Sequence, residues 1–182
     1  RNAQVQALVM WGSGAAPVII TKECASLGFK IPILFSAAEA DGPGFVQPAG
    51  AAAEGVFMST NKLQVFDYLL PNDPSRKLLS DFIPAYKQAT GKDANEFAAN
   101  AYDAFHMMVQ AITTAKSTEP DKIVAALEQL KFDGADGTYQ YSPTDHAGMQ
   151  IGALTMVTVK GGKLTPITPN CDGCFDTTVT KG

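Results

Sequence analysis

Few residues in this chain have side chains that could do chemistry. Glu39 and Asp41 stand two apart in a small-residue loop, SAAEADGPG, residues 36–44. A carboxylate shielded from water there could pair with an ammonium group through a strong charge-assisted hydrogen bond. In open solvent it would be an ordinary loop charge. Both readings stand, and a shift of one loop position hands the role to Asp41. Ala37 belongs to the same loop and the same candidate set. A second loop, Trp11-Gly12-Ser13-Gly14, offers a hydroxyl on Ser13, and its glycines, Gly14 included, permit close approach of backbone to a ligand. Trp11 is a pocket wall or plain core, with core the default. Tyr102 and Asp103 occupy an AYDA segment. Tyr102 has core packing as its default, and Asp103 either lines a cleft or bonds nearby backbone. Phe97 lies at a helix start, where such residues also serve as staples.

The remaining reactive residues point nowhere in common. His106 lies among apolar neighbours and His146 in a polar turn, SPTDH. Neither has a Cys, Ser or carboxylate partner at a spacing that suggests catalysis or metal binding. Cys171-x-x-Cys174 has the spacing of a redox or zinc half-site. No second pair completes a zinc set, and the motif sits in a polar tail rather than at a helix start. A local disulfide in an oxidising compartment, or two free thiols, is the preferred reading. Cys24 reads as core. No metal, no cofactor and no catalysis are expected.

The elements that must position these residues can be read from periodicity. Residues 5–11 (VQALVMW) form a short apolar run suited to a strand buried on both faces. A helix over 15–27 follows, with Ala16, Ile20, Cys24 and Leu27 on one face and Gly28 at its C′ position. Strands over 31–35 and 55–58 flank a helix over 45–53. The order β-α-β-α-β predicts a parallel sheet with helices on its faces. In such sheets ligands bind beyond the carboxyl ends of the strands, where the 12–14 and 36–44 loops lie. Residues 59–72 lack a clean period and read as a crossing segment.

Three helices come next. Asp73 with Pro74 starts one, carrying a stripe of Leu78, Leu79, Phe82, Ile83 and Tyr86; Pro84 predicts a kink or an early break. Residues 95–116 are apolar on most sides and predict a buried helix, with Ala98, Tyr102, Phe105, Val109 and Ile112 on one face. The third starts at Thr118 with Asp121 completing a capping box, and Ile123, Leu127 and Leu130 face inward. Strands over 137–141, 153–160 and 163–167 complete the chain, the last two joined by Gly161-Gly162 as a hairpin. The tail from Thr168 is polar and expected to be loose.

Composition bounds the classes. With 182 residues, 46% hydrophobic and 18% charged, the chain is globular in type and can bury a real core. The net charge is −4, and Lys and Arg are scattered singly, which argues against a nucleic-acid partner. No apolar run approaches the roughly 20 residues that span a bilayer. Arg1-Asn2-Ala3-Gln4 runs almost directly into a strand without an initiator Met, so the chain is expected to begin in mid-protein.

Four segments together resemble a known family. They are ALVMWGSGAAPVIITKECASLGFKIPILFS (7–36), AGAAAEGVFMS (49–59), the run from Pro71 to Ile112, and GTYQYSPTDHAGM (137–149) followed by LTMVTVKGGKL. In this order they are similar to the second half of type I periplasmic binding proteins, specifically the branched-chain amino acid (Leu/Ile/Val) group. The resemblance implies an α/β fold of two parallel-sheet lobes that close by a hinge around a ligand. It implies that residues 1–60 belong to the second lobe, 61–72 to a crossover, 73–131 to helices of the first lobe, 132–167 to the second lobe again, and 168–182 to a tail. The missing half would supply the groups that hold a ligand carboxylate. Amino-acid binders of this group place an acidic residue four positions after the aromatic that ends the strand, and Phe35 and Glu39 reproduce that spacing. Where some relatives carry an aromatic that packs on the ligand, this chain has Ser13.

The implied function is the extracytoplasmic receptor of an ABC importer, periplasmic or lipid-anchored in a Gram-positive cell. Its partners would be an amino acid or small organic acid and a membrane permease. A ligand-sensing domain of a receptor or regulator with the same fold is the alternative. An enzyme acting through the CxxC or a histidine is a third class, supported by nothing beyond those isolated residues.

Overall fold

A computed structural model of the chain describes residues 4–150 and 152–167. Cys171, Cys174 and the 168–182 tail lie outside the described residues. The chain divides into two compact units, one formed by residues up to 70 and from 155 on, the other by residues 71–154.

The first unit is built on a five-stranded sheet in the order β1-β2-β3-β6-β7. Its strands are β1 (Leu8–Met10), β2 (Ile33–Phe35), β3 (Phe57–Asn61), β6 (Leu154–Lys160) and β7 (Lys163–Pro166). β1, β2 and β3 run parallel, with Met10 beside Phe35 and Phe35 beside Met58. The expected parallel α/β arrangement is therefore present, and the antiparallel β6–β7 hairpin makes the sheet mixed. The two-residue turn needs left-handed backbone at both positions, and Gly161 and Gly162 supply φ of 58° and 71°. The Glu54 carboxylate accepts from both of their N–H groups, at 3.0 and 2.6 Å.

The core of this unit gathers Phe35, Phe45, Val46, Val56, Met58, Val65, Val157 and Val159. β1 departs from expectation: as an edge strand it leaves Val9 72% exposed rather than buried on both faces. Helix α1 (Ala15–Ser26) buries Pro17 and Thr21, whereas Leu27 is exposed, so its inward face lies one residue from the expected one. Thr21 can be inside because its hydroxyl donates to the Pro17 carbonyl at 2.7 Å. Gly28, at φ 68°, ends the helix as expected, with the Phe29 N–H returning to the Cys24 carbonyl.

The helix expected over 45–53 is broken into a π turn (Gly42–Val46), a single α turn α2 (Gln47–Ala49) and a 3-10 turn (Gly50–Ala53). Pro48 lacks an N–H and Gly50 sits at φ 60°, so a regular helix cannot pass through both. β3 runs to Asn61, and the aperiodic segment that follows is a 3-10 stretch (Lys62–Tyr68) interrupted at Val65.

The second unit is helical with a small strand pair. Its helices are α3 (Ser75–Thr90), α4 (Glu96–Ala115) and α5 (Pro120–Leu127). β4 (Lys131–Asp133) and β5 (Thr138–Gln140) pair antiparallel. Residues 131–154 pack with these helices, whereas the resemblance assigns 132–167 to the sheet lobe. α3 passes Pro84 without the expected early break; Phe82 and Tyr86 flank it, with their rings 5.9 Å apart. Because Pro84 is exposed and only costs the helix a bond, Pro84→Ala is expected to raise stability by about 1–3 kcal/mol. A lower melting temperature in the variant would show instead that the α3 packing needs the proline.

α5 starts one residue later than the expected capping box allows. Glu119 is its N-cap, no side chain caps it, and Pro120 with its preset φ takes the first turn. α4 is the larger correction, since it is not buried all round. One face, Ala99, Asp103, Met107 and Ala111, is inside. On the opposite face Phe97, Phe105, Met108 and Val109 are 58%, 66%, 43% and 45% exposed. Only one side of this two-sided apolar helix finds a partner within its unit.

Candidate functional site

Five of the candidate residues gather at the carboxyl edge of the parallel strands in the first unit. β1 ends at Met10 and opens into the 11–14 loop; β2 ends at Phe35 and opens into the 36–46 loop. The two loops are tied by Ser36, whose hydroxyl donates to the Gly12 carbonyl at 3.3 Å. Trp11 is 89% exposed, which excludes its reading as core; it has already left the strand and nothing in its unit covers it. Ser13 is exposed, and Gly14 holds φ 80° just before α1, a conformation that side chains rarely adopt.

The second loop is tightly folded. Ala37 and Glu39 share a 3-10 turn (Ala37–Glu39), Ala37 half-buried and Glu39 only 3% exposed. The N–H groups of Phe45 and Val46 both return to the Asp41 carbonyl, closing the π turn behind it. Phe45 meets Phe35 edge-on with ring centres 5.2 Å apart, which anchors the loop to the strand it leaves. Gly44 leaves room for the Asp41 carboxylate, which a Cβ there would push aside.

Glu39 is thus a carboxylate carried inside by its loop, and its Oε1 has no hydrogen-bond partner among the described residues. Burial, and secondarily the negative charge of Asp41, push its pKa up to about 7 from the ordinary 4.5. A group in this state is half ionised near neutrality and gains most from a cation that arrives with its own hydrogen-bond donors. Asp41, half-buried and charged beside it, adds to the negative field rather than replacing it.

The other three candidates lie in the second unit. Asp103 is fully buried on α4 and accepts from the Ala135 and Asp136 N–H groups, both at 2.7 Å. Desolvation pushes its pKa up, against those two bonds, which lower it. Tyr102 packs its ring between Phe82, at 4.9 Å, and His106, at 4.2 Å. Phe97 is exposed in the first turn of α4. His146 pairs with Glu128 at 3.0 Å in an exposed position. No group of three or more His, Cys, Asp or Glu side chains among the described residues is arranged to hold a metal ion. Nor is any described helix long and apolar enough to cross a membrane.

Sequence reasoning missed two buried polar groups. Among the described residues, Thr60 in β3 is 0% exposed with its hydroxyl unpartnered, and Glu96, in the first turn of α4, has an unpartnered buried Oε2. A polar residue at a core step of the strand alternation was the available signal for Thr60. A separate concavity of about 330 Å³ lies in the second unit between Met107, Met108, Val124, Leu127 and Tyr141. Its lining is apolar and its polar pair, Glu128 and His146, sits at the rim, so it lacks the convergent buried polar groups of a specific site.

Known proteins share this architecture. An extracellular ligand-binding receptor from Rhodopseudomonas palustris HaA2 superposes with a TM-score of 0.79 at 25% identity, covering 90% of this chain and 48% of that one. A branched-chain amino acid ABC transporter protein from Thermus thermophilus with bound valine gives 0.66 at 22% identity, covering 91% and 46%. A solute-binding protein of an ABC transporter from R. palustris in complex with benzoate gives 0.66 at 16%, covering 91% and 43%. The chain therefore spans about half the length of the solved structures it matches. No curated protein matches it in sequence. Residues 1–163 match the family described as periplasmic binding protein, and with the parallel sheet and its edge loops in place the chain belongs to that family, with the type I fold.

Proposed function

We propose that this chain is the C-terminal half of an extracytoplasmic solute-binding protein that delivers an amino acid, or a related small carboxylate, to the permease of an ABC importer. In this reading the carboxyl edge of the sheet unit supplies one wall of the ligand site. The observation that carries it is Glu39: a buried carboxylate, its Oε1 without a partner among the described residues, at the carboxyl edge of a parallel sheet in a chain of this family. Trp11, Ser13, Gly14 and Ala37 would complete this wall of the site; Asp103, whose two oxygens hold the 135–136 backbone, and Tyr102, packed among rings, are structural in their own unit. The valine-bound and benzoate-bound relatives show that the fold admits both kinds of ligand. The buried anion favours a ligand with an ammonium group.

A thermal-shift panel tests this on the protein extended upstream to the length of its relatives. Leucine, isoleucine, valine, phenylalanine, polar amino acids and aromatic carboxylates are compared. A ligand that binds only the folded state raises the melting temperature, by about 2.7 kcal/mol of stabilisation at a hundredfold excess over Kd. Amino acids are expected to give the shift. A shift confined to carboxylates without an amino group would retain the transport role and overturn the amino-acid assignment.

A further inference from the structure

Thr60 is a hydroxyl placed where an apolar side chain would fit. It is 0% exposed, and its Oγ1 has no partner among the described residues. Strand alternation puts it on the same face of β3 as Met58, which lies beside Phe35 in the parallel register and shares the core with Phe35 and Phe45. Thr60 is the next step of that face, at the edge where β2 gives way to the Ala37–Glu39 turn. That turn packs against β3. Two neighbouring elements thus each carry a buried polar atom without a partner, Glu39 Oε1 on one and Thr60 Oγ1 on the other. Such orphans are rare in folded proteins, and valine would fill the Thr60 position at the same volume without one.

We infer that Thr60 Oγ1 and Glu39 Oε1 form a two-point polar subsite for the primary ammonium of the ligand, the hydroxyl oxygen accepting one N–H and the carboxylate another. This rests on the reading of Glu39 as the ammonium anchor. A primary ammonium suits the pair because it has three donors and no acceptor, so two acceptors can be served at once. β3 itself, FMSTN, brings no competing charge to the pair.

The test uses the upstream-extended protein and calorimetric titration with L-valine, L-leucine, L-phenylalanine, N-trimethyl-L-valine and isovalerate. Thr60→Val is expected to weaken the amino acids about tenfold, Thr60→Ser to stay within about threefold, and isovalerate to be indifferent to both. The unliganded Thr60→Val protein should melt no lower than the wild type, because an unpartnered hydroxyl has been removed. Thr60→Ala replaces it if the valine variant does not fold. If Glu39→Gln weakens the amino acids while Thr60→Val and Thr60→Ala leave them unchanged, the subsite is overturned and the Glu39 anchor stands. If neither position affects them, or only isovalerate binds the wild type, the anchor fails and the subsite with it.

Discussion

Glu39→Gln is expected to lower amino-acid affinity about 30- to 100-fold, the equivalent of losing one charge-assisted hydrogen bond of about 2–3 kcal/mol. The same substitution should stabilise the unliganded protein, but only above a certain pH. The pKa of Glu39 is raised by folding from 4.5 to about 7, so the folded state holds this proton more tightly than the unfolded chain does. Stability from the protonated carboxyl is therefore fully present below 4.5 and is lost as pH climbs towards 7. Glutamine cannot ionise and escapes that loss. The melting temperatures of the two proteins should agree near pH 4, where both side chains are neutral, and separate by pH 8, the variant ahead by about 3 kcal/mol. An ammonium ligand would draw the wild-type carboxyl into its ionised form. Binding at pH 6 should then release a proton, visible as a heat that depends on the ionisation enthalpy of the buffer. Parallel pH profiles for the two proteins and unchanged affinity would remove Glu39 from the site.

The second large effect concerns Gly134 and Asp103. Both carboxylate oxygens of Asp103 are taken by backbone N–H groups of the 135–136 turn, and the turn closes so tightly that a Cβ on Gly134 would overlap that carboxylate. Asp103→Ala leaves two buried N–H groups without acceptors and is expected to cost about 3–4 kcal/mol. Gly134→Ala drives the carboxylate off the same two donors and should cost about 2–4 kcal/mol. The two losses share one cause, so they should not add. In the Asp103→Ala background the new methyl group meets no carboxylate, and Gly134→Ala should cost less than about 1 kcal/mol. Urea unfolding of the four proteins measures this cycle. Full additivity would mean that the glycine is needed for its backbone alone.

What could be read from the chain alone followed from local rules. Gly161-Gly162 between alternating strands is a hairpin because few other dipeptides accept two left-handed residues, and the hairpin is there. That a strand ends at Phe35 and a small-residue loop carrying Glu39 follows could be read because both are local features, and both are there. What could not be read depends on partners distant in sequence. The burial of Thr60 comes from a sheet whose other strands are far along the chain, and the backbone that engages Asp103 is about 32 residues away. Trp11 and the outer face of α4 were misread for a related reason. Hydrophobicity says that a residue prefers cover, but not that its own unit provides it.

β3 acquires its second neighbour late. Its first partner, β2, precedes it in the chain, but the Thr158 hydroxyl that reaches the Val56 carbonyl comes 102 residues afterwards. The whole helical unit is spelled out in between. At translation speeds of about 5–20 residues per second, a nascent chain would carry an open strand edge for roughly 5–20 s. That edge presents Val56 and Met58, which the finished protein hides completely, and open apolar edges recruit other chains. The continuous unit can mature while the split one waits. Synthesis that stalls or terminates between residues 71 and 154 would therefore release the molecule in its most adhesive form, with chaperone demand set by the insertion rather than by the sheet.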